Sequence, residues 1–267
     1  IWQNTVSHNP VNLSFISSPT GPVYIFRNVF ERICDRGNPV NRTNSFNEEL
    51  YVNHNICFDP VKPKIWGTLL KLNTGTTGSS NPQLDINLFH NTIVSYDTLG
   101  YSSYLGNSGN WRIIRSINNN YSSKFVNFIF TGISANKNYG FYSLNDNIYS
   151  GTKTIAKIEP VHVSNCTKYQ SPDSLYKALV TVTGNKNAEK LYIKSKSAYP
   201  LFLDSAAFDY RLSSVSPLID GGEIVPNISD LLGENYMSAK PDIGAFESGF
   251  SKTNNSADID TILVYPN

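Results

Sequence analysis

A five-residue pattern centred on asparagine recurs along this chain and limits its fold more than any other feature. Phe26-Arg27-Asn28-Val29-Phe30 is the clearest copy, and Phe89-His90-Asn91-Thr92-Ile93 and Trp2-Gln3-Asn4-Thr5-Val6 repeat it. Asn53-His54-Asn55-Ile56-Cys57, Phe125-Val126-Asn127-Phe128-Ile129 and Asn145-Asp146-Asn147-Ile148-Tyr149 follow it more loosely. The central residues 4, 28, 55, 91, 127 and 147 are separated by 24, 27, 36, 36 and 20 residues. Self-similarity at this spacing marks a chain built from stacked repeats, the longer gaps holding inserted loops.

Three positions before the Asn stand Ile1, Ile25, Val52 and Leu88, and two after it Val6, Phe30, Cys57, Ile93 and Ile129. Apolar residues alternating in this way mean strands with one face buried, and the Asn marks a bend between two of them. The copy at Asn127 breaks the alternation at Ser122 and Lys124. Strands recurring without helices between them can coil with each repeat on the last, about 4.8 Å apart. A side-chain amide has both a donor and an acceptor, so stacked Asn residues can form a continuous ladder. The expected class is all-β, a right-handed parallel β-helix solenoid with an Asn ladder and a C-terminal capping segment.

The repeats resemble those of the right-handed parallel β-helix proteins of the pectate-lyase-like superfamily. Phe208-Asp209-Tyr210-Arg211-Leu212, Ser216-Pro217-Leu218-Ile219-Asp220-Gly221-Gly222 and Lys240-Pro241-Asp242-Ile243-Gly244-Ala245-Phe246-Glu247 are similar to the closing segment of many secreted bacterial β-helix proteins. With the repeats, the resemblance covers most of residues 1–247. That superfamily includes polysaccharide lyases and hydrolases alongside adhesins, so fold alone does not fix function.

The chain divides into β-helix rungs over 1–170, last rungs and a cap over 171–247, and a linker over 248–267. Ser171-Pro172-Asp173 predicts a short helix to about Val180, with Ser as N-cap and Pro in the first turn. Leu191–Lys194 reads as a strand. Asp220, Asp242 and Glu247 are expected to bond the backbone amides of turns. The polar linker leads to Val264-Tyr265-Pro266-Asn267, which resembles the opening of the C-terminal sorting domain of type IX secretion substrates in Bacteroidota. That implies export to the cell surface or the medium. Ile1 already falls within a rung, so further rungs are expected upstream.

Net charge is +1 and charged residues make up 16%, a balance that argues against nucleic acid or a polybasic membrane contact as partner. No apolar run reaches the roughly 18 residues of a membrane span. The three cysteines, 34, 57 and 166, exclude a complete disulfide framework. Cys57 reads as a small buried hydrophobe; a Cys34–Cys166 pair is possible.

The position before each Asn holds Gln3, Arg27, His54, His90, Val126 and Asp146. If the rungs stack, Arg27, His54 and His90 form a column, the weak candidates for catalysis. The resembled lyases use a basic residue on an outer sheet face to take a proton beside a uronate carboxylate, and Arg or His can also bind that group. The same residues would otherwise be ordinary bend residues. No family motif matches residue by residue, so no active site is carried over. Trp2, Phe26 and Phe89, two positions before the Asn, are candidates for carbohydrate binding. No cofactor or metal site is assigned: the resemblance raises calcium, but Glu31, Asp35, Asp59, Asp85 and Asp97 have no recognised ligand spacing.

Two functions follow. One is a secreted or surface β-helix that binds or cleaves polysaccharide. The other is a non-enzymatic adhesin or structural module exported by type IX secretion.

Overall fold

The computed structural model describes residues 5–7, 14–15, 23–31, 40–42, 49–59, 70–72, 84–95, 103–105, 111–131, 140–159, 166–183, 191–226 and 240–249. They are mostly strand, with one α-helix; the strands fall into three limbs visited in turn, apart from Phe202–Asp204 and Asp209–Leu212, which form a separate antiparallel pair. The first limb holds Val23–Phe26, Glu49–Asn53, Leu84–Phe89, Trp111–Ile117, the start of Gly140–Ser150, and Leu191–Lys196. The second holds Thr5–Ser7, Val29–Glu31, Ile56–Asp59, Thr92–Ser95, Asn120–Ser123 and the end of Gly140–Ser150. These two limbs form one 11-stranded sheet, whose pairings are parallel. The third limb is a 7-stranded sheet running from Ser14–Phe15 to Thr167–Tyr169, parallel except for its last pair. Each strand therefore pairs with its counterpart one repeat away, the pattern expected of a parallel β-helix.

The bend between the first two limbs has one backbone solution. Arg27, His54, His90, Asn118 and Asn145 have φ of 55°, 53°, 51°, 58° and 53°. This left-handed region is uncommon for residues with a side chain, although Asn and His enter it more readily than most. It is retained because pairing continues across the corner: the amides of His54 and His90 bond the carbonyls of Phe89 and Ile117 at 3.0 and 3.1 Å.

The Asn ladder follows that corner. Asn28 Nδ2 donates to Asn55 Oδ1 (3.0 Å), Asn55 to Asn91 (3.0 Å), Asn91 to Asn119 (2.9 Å), and Asn119 to Asp146 Oδ1 (3.0 Å). All five residues are fully buried. Here the structure corrects two assignments. Asn119 holds the place expected of Asn127, and Asp146 the place expected of Asn147. Asn127 sits at the next corner, donating to the Tyr149 carbonyl at 2.7 Å. Asn147 bonds Asn120 Oδ1 at 3.0 Å, one position past the ladder. The broken alternation at Ser122 and Lys124 has the same origin: the repeat is centred on Asn119. Asn4 lies outside the described residues.

Inward-facing residues stack in register. Ile25, Val52 and Leu88 line the first limb; Phe30, Ile93, Tyr121 and Ile148 the second; Phe128, Phe130 and Ile158 the third. Tyr121 is wholly buried and pairs its hydroxyl with Ser116 Oγ at 2.8 Å, which offsets the cost of burying a phenol. Cys57 packs partly buried against this core, and Cys166 forms no disulfide; Cys34 lies outside the described residues.

The helix spans Pro172–Thr183, three residues beyond the expected end. Ser171 Oγ accepts from the Ser174 amide at 3.2 Å, a side-chain cap for an otherwise orphan donor. Leu175 and Leu179 join the core, each contributing about 1.5–3 kcal/mol by burial.

After the Leu191–Lys196 strand the chain turns back along the outer face of the second limb. The Ala198 amide bonds Asn147 Oδ1 at 2.9 Å, the Gly244 amide the Asn118 carbonyl at 2.8 Å, and the Ala245 amide Thr92 Oγ1 at 3.0 Å. Tyr210 and Ala245 pack with Ile56, Phe58 and Val94. This strap thus ties successive repeats together. Two of the three carboxylates expected to bond turn amides do so: Asp242 accepts from Asp220 and Ser248 at 2.8 and 2.7 Å, and Glu247 from Asp242 at 2.9 Å.

Candidate functional site

The basic column expected at the bend lies largely beneath the strap. Arg27 is half-buried, whereas His54 and His90 are 1% and 0% exposed. The two imidazoles stack with centroids 4.7 Å apart and planes within 8°. Asn118 Nδ2 stands 2.9 Å from His90 Nε2; an amide nitrogen can only donate, so the neutral ring accepts there. The same amide donates to the Glu223 carbonyl, and Asn118 Oδ1 accepts from the Glu223 amide at 2.9 Å. Burial first, then the charges of His90 and Arg27, holds His54 well below the usual imidazole range. Burial lowers His90 to about 3, against the opposing pull of the Gly244 and Asp242 main chain. Both are therefore neutral at ordinary pH and suited to filling a buried seam.

Of the aromatic candidates, Trp2 lies outside the described residues. Phe26 is half-buried and Phe89 buried. They stand in register on one outward column with Asn53 between them.

The neighbouring outward column is more open. It reads Tyr24, Tyr51, Asn87, Arg115, Tyr142, Tyr192, one residue per repeat. Tyr24 and Tyr192 are 50% and 39% exposed. Tyr24 and Tyr51 stack at 5.0 Å with planes 12° apart; Tyr142 and Tyr192 stack at 4.8 Å and 18°. Stacking turns ring faces along the column and ring rims and hydroxyls outward. Between the two stacks, Arg115 Nη1 donates to Asp85 Oδ2 and to Asn87 Oδ1, both at 3.2 Å. The Arg115 side chain is 39% exposed and that of Asp85 2%, so the protein fixes one edge of the guanidinium and leaves the other toward solvent. Glu223, exposed on the strap, lies close enough for its charge to act on Tyr142. Burial first, then Tyr192 and Glu223, raises that phenol above its usual range.

This stripe was not among the sequence-derived candidates, which lay one and two positions before the Asn. Its signal is the position four before the ladder residue, legible only when the ladder is centred on Asn119 and Asp146. Among the described residues no group of three or more His, Cys, Asp or Glu side chains could hold a metal ion, and no helix is long and apolar enough to cross a membrane. No protein-family model matches the chain, and neither curated proteins nor solved structures yield a match.

Proposed function

We propose that this chain is a right-handed parallel β-helix solenoid, exported to the cell surface or medium, that binds polysaccharide along its Tyr24–Tyr192 stripe. The observation that carries this reading is the stripe itself. Four tyrosines stand at the repeat spacing on a parallel sheet, two on either side of a fixed Asn87–Arg115–Asp85 cluster. A linear polymer laid along the stripe meets one tyrosine pair, the guanidinium and a second tyrosine pair in turn. Phenol hydroxyls and the guanidinium edge match sugar hydroxyls, while ring rims cover apolar C–H surface. Binding is proposed rather than bond cleavage, because His54 and His90 are buried under the strap.

Export rests on the resemblance of Val264-Tyr265-Pro266-Asn267 to a type IX sorting domain, which would make that secretion machinery a second partner. The test of binding is affinity electrophoresis against a panel of soluble polysaccharides. One or more should retard the chain, and Tyr51→Ala and Tyr142→Ala, both on an outer face, should remove the retardation while the β-rich circular dichroism persists. Retardation by none would favour the non-enzymatic surface module.

A further inference from the structure

The stripe carries a charge balance that distinguishes among polysaccharides. Arg115 is its one cation, and Nη1 bonds Asp85 Oδ2 and Asn87 Oδ1, each at 3.2 Å. Glu223 is held at the stripe's edge because Asn118 binds both its amide and its carbonyl. Lys194 is exposed in the adjoining column, in register with Leu144. Two carboxylates therefore face two cations over the repeats from Asp85 to Lys194.

We infer, on the glycan-binding reading above, that the stripe selects an uncharged polysaccharide over a polyuronate. A polyanion carries a carboxylate at every sugar or every second sugar. Laid along this column it meets the Arg115 guanidinium, already neutralised from behind by Asp85, and then the Glu223 carboxylate, with exposed Lys194 to one side. Each remaining carboxylate would lose water without gaining a partner, and like charges across an interface are strongly unfavourable. A neutral sugar loses no ionic hydration. It can accept from the solvent-facing edge of Arg115 and exchange hydrogen bonds with the tyrosine hydroxyls. Asp85 thus acts as a specificity residue: it tempers the charge of the one arginine that would otherwise recruit acidic polymers.

The experiment titrates the full chain with neutral polysaccharides (a β-glucan, a xylan, a mannan) and with polygalacturonate and alginate, at low and high salt. At least one neutral polymer should bind with an affinity that salt leaves unchanged, since no screened ion pair forms. Asp85→Asn should raise the affinity for polyuronate, in a salt-sensitive way, by about fivefold, the upper end for one exposed charge pair. Glu223→Gln, on an exposed side chain that cannot upset folding, should move it in the same direction. Wild-type chain that prefers polyuronate, or variants with unchanged preference, would overturn the inference and leave glycan binding standing. Failure to bind either class would overturn both.

Discussion

Asn119 donates twice to one oxygen: its backbone amide and its Nδ2 both reach Asp146 Oδ1, at 2.7 and 3.0 Å. Every earlier rung repeats the geometry, with Asn91 bonding Asn119 Oδ1 at 2.8 and 2.9 Å. Donors thus point the same way throughout, and the ladder needs a final group that only accepts. A carboxylate meets that requirement. Its second oxygen takes the Ser143 hydroxyl at 2.6 Å.

The first prediction follows from that chain of donors. Asn91→Ala should destabilise by about 1–3 kcal/mol, because the amides of Asn55 lose a buried acceptor. Asn119→Ala should cost a similar amount. Urea denaturation midpoints measure both, and unchanged midpoints would refute the ladder's role in stability.

Asp146 gives the second. Burial raises its carboxyl from 3.8 to about 6, against the bonds from Ser143 and Asn119. A carboxyl with a raised folded-state pKa stabilises the fold below its unfolded value and loses that contribution as pH rises. Stability from this group should therefore fall between about pH 4 and pH 6, by roughly 3 kcal/mol for a two-unit shift. Asp146→Asn should remove this component, read as the difference between the two proteins' stability–pH curves.

The buried histidines act in the opposite sense, which is the third prediction. His54 and His90 are held below 6.5 by burial, so the unfolded chain takes up protons before the folded one does. The contribution of His90 is complete above about pH 6.5 and is lost as pH falls toward 3, and that of His54 is lost in the same direction. The imidazole NMR signals of His54 and His90, assigned by substituting each in turn, should stay in the neutral form at pH 5, where an exposed histidine is largely protonated. Protonated signals from either of these two residues at that pH would contradict the stacked seam.

A fourth concerns the strap. Gly244 has φ of +126°, and an added Cβ would stand 2.7 Å from Thr92 Oγ1. Side chains rarely adopt that backbone region. Gly244→Ala should loosen residues 198–226 and 240–249 selectively, seen as faster hydrogen exchange there than in the Leu84–Ser95 repeat. Uniform change across both would mean that strap and repeats unfold as one unit.

Much of the repeat was legible because Asn28, Asn55 and Asn91 each carry apolar flanks in phase. The fourth and fifth rungs were harder. Asn118-Asn119-Asn120 has three asparagines and Ser116 where a hydrophobe is expected, whereas Phe125-Val126-Asn127-Phe128 imitates the pattern at a different corner. Asp146 escapes a search for asparagine because the end of the ladder calls for different chemistry. The burial of His54 and His90 could not be read locally: the strap returns from far along the chain, as the Ala245–Thr92 bond across 153 residues illustrates. The stripe mixes Tyr, Asn and Arg, and a column of unlike residues becomes visible only after the register is known.

The one-way ladder also governs how such a protein can change length. A repeat copied between Asn28 and Asn119 brings one donor and one acceptor, so the series closes again around it. Copying the Asp146 repeat sets carboxylate against carboxylate in a dry interior, where two charges of like sign are costly. Duplication and deletion are thus tolerated among the asparagine repeats and barred at the aspartate, which gives the ladder a defined terminus, set by one side chain.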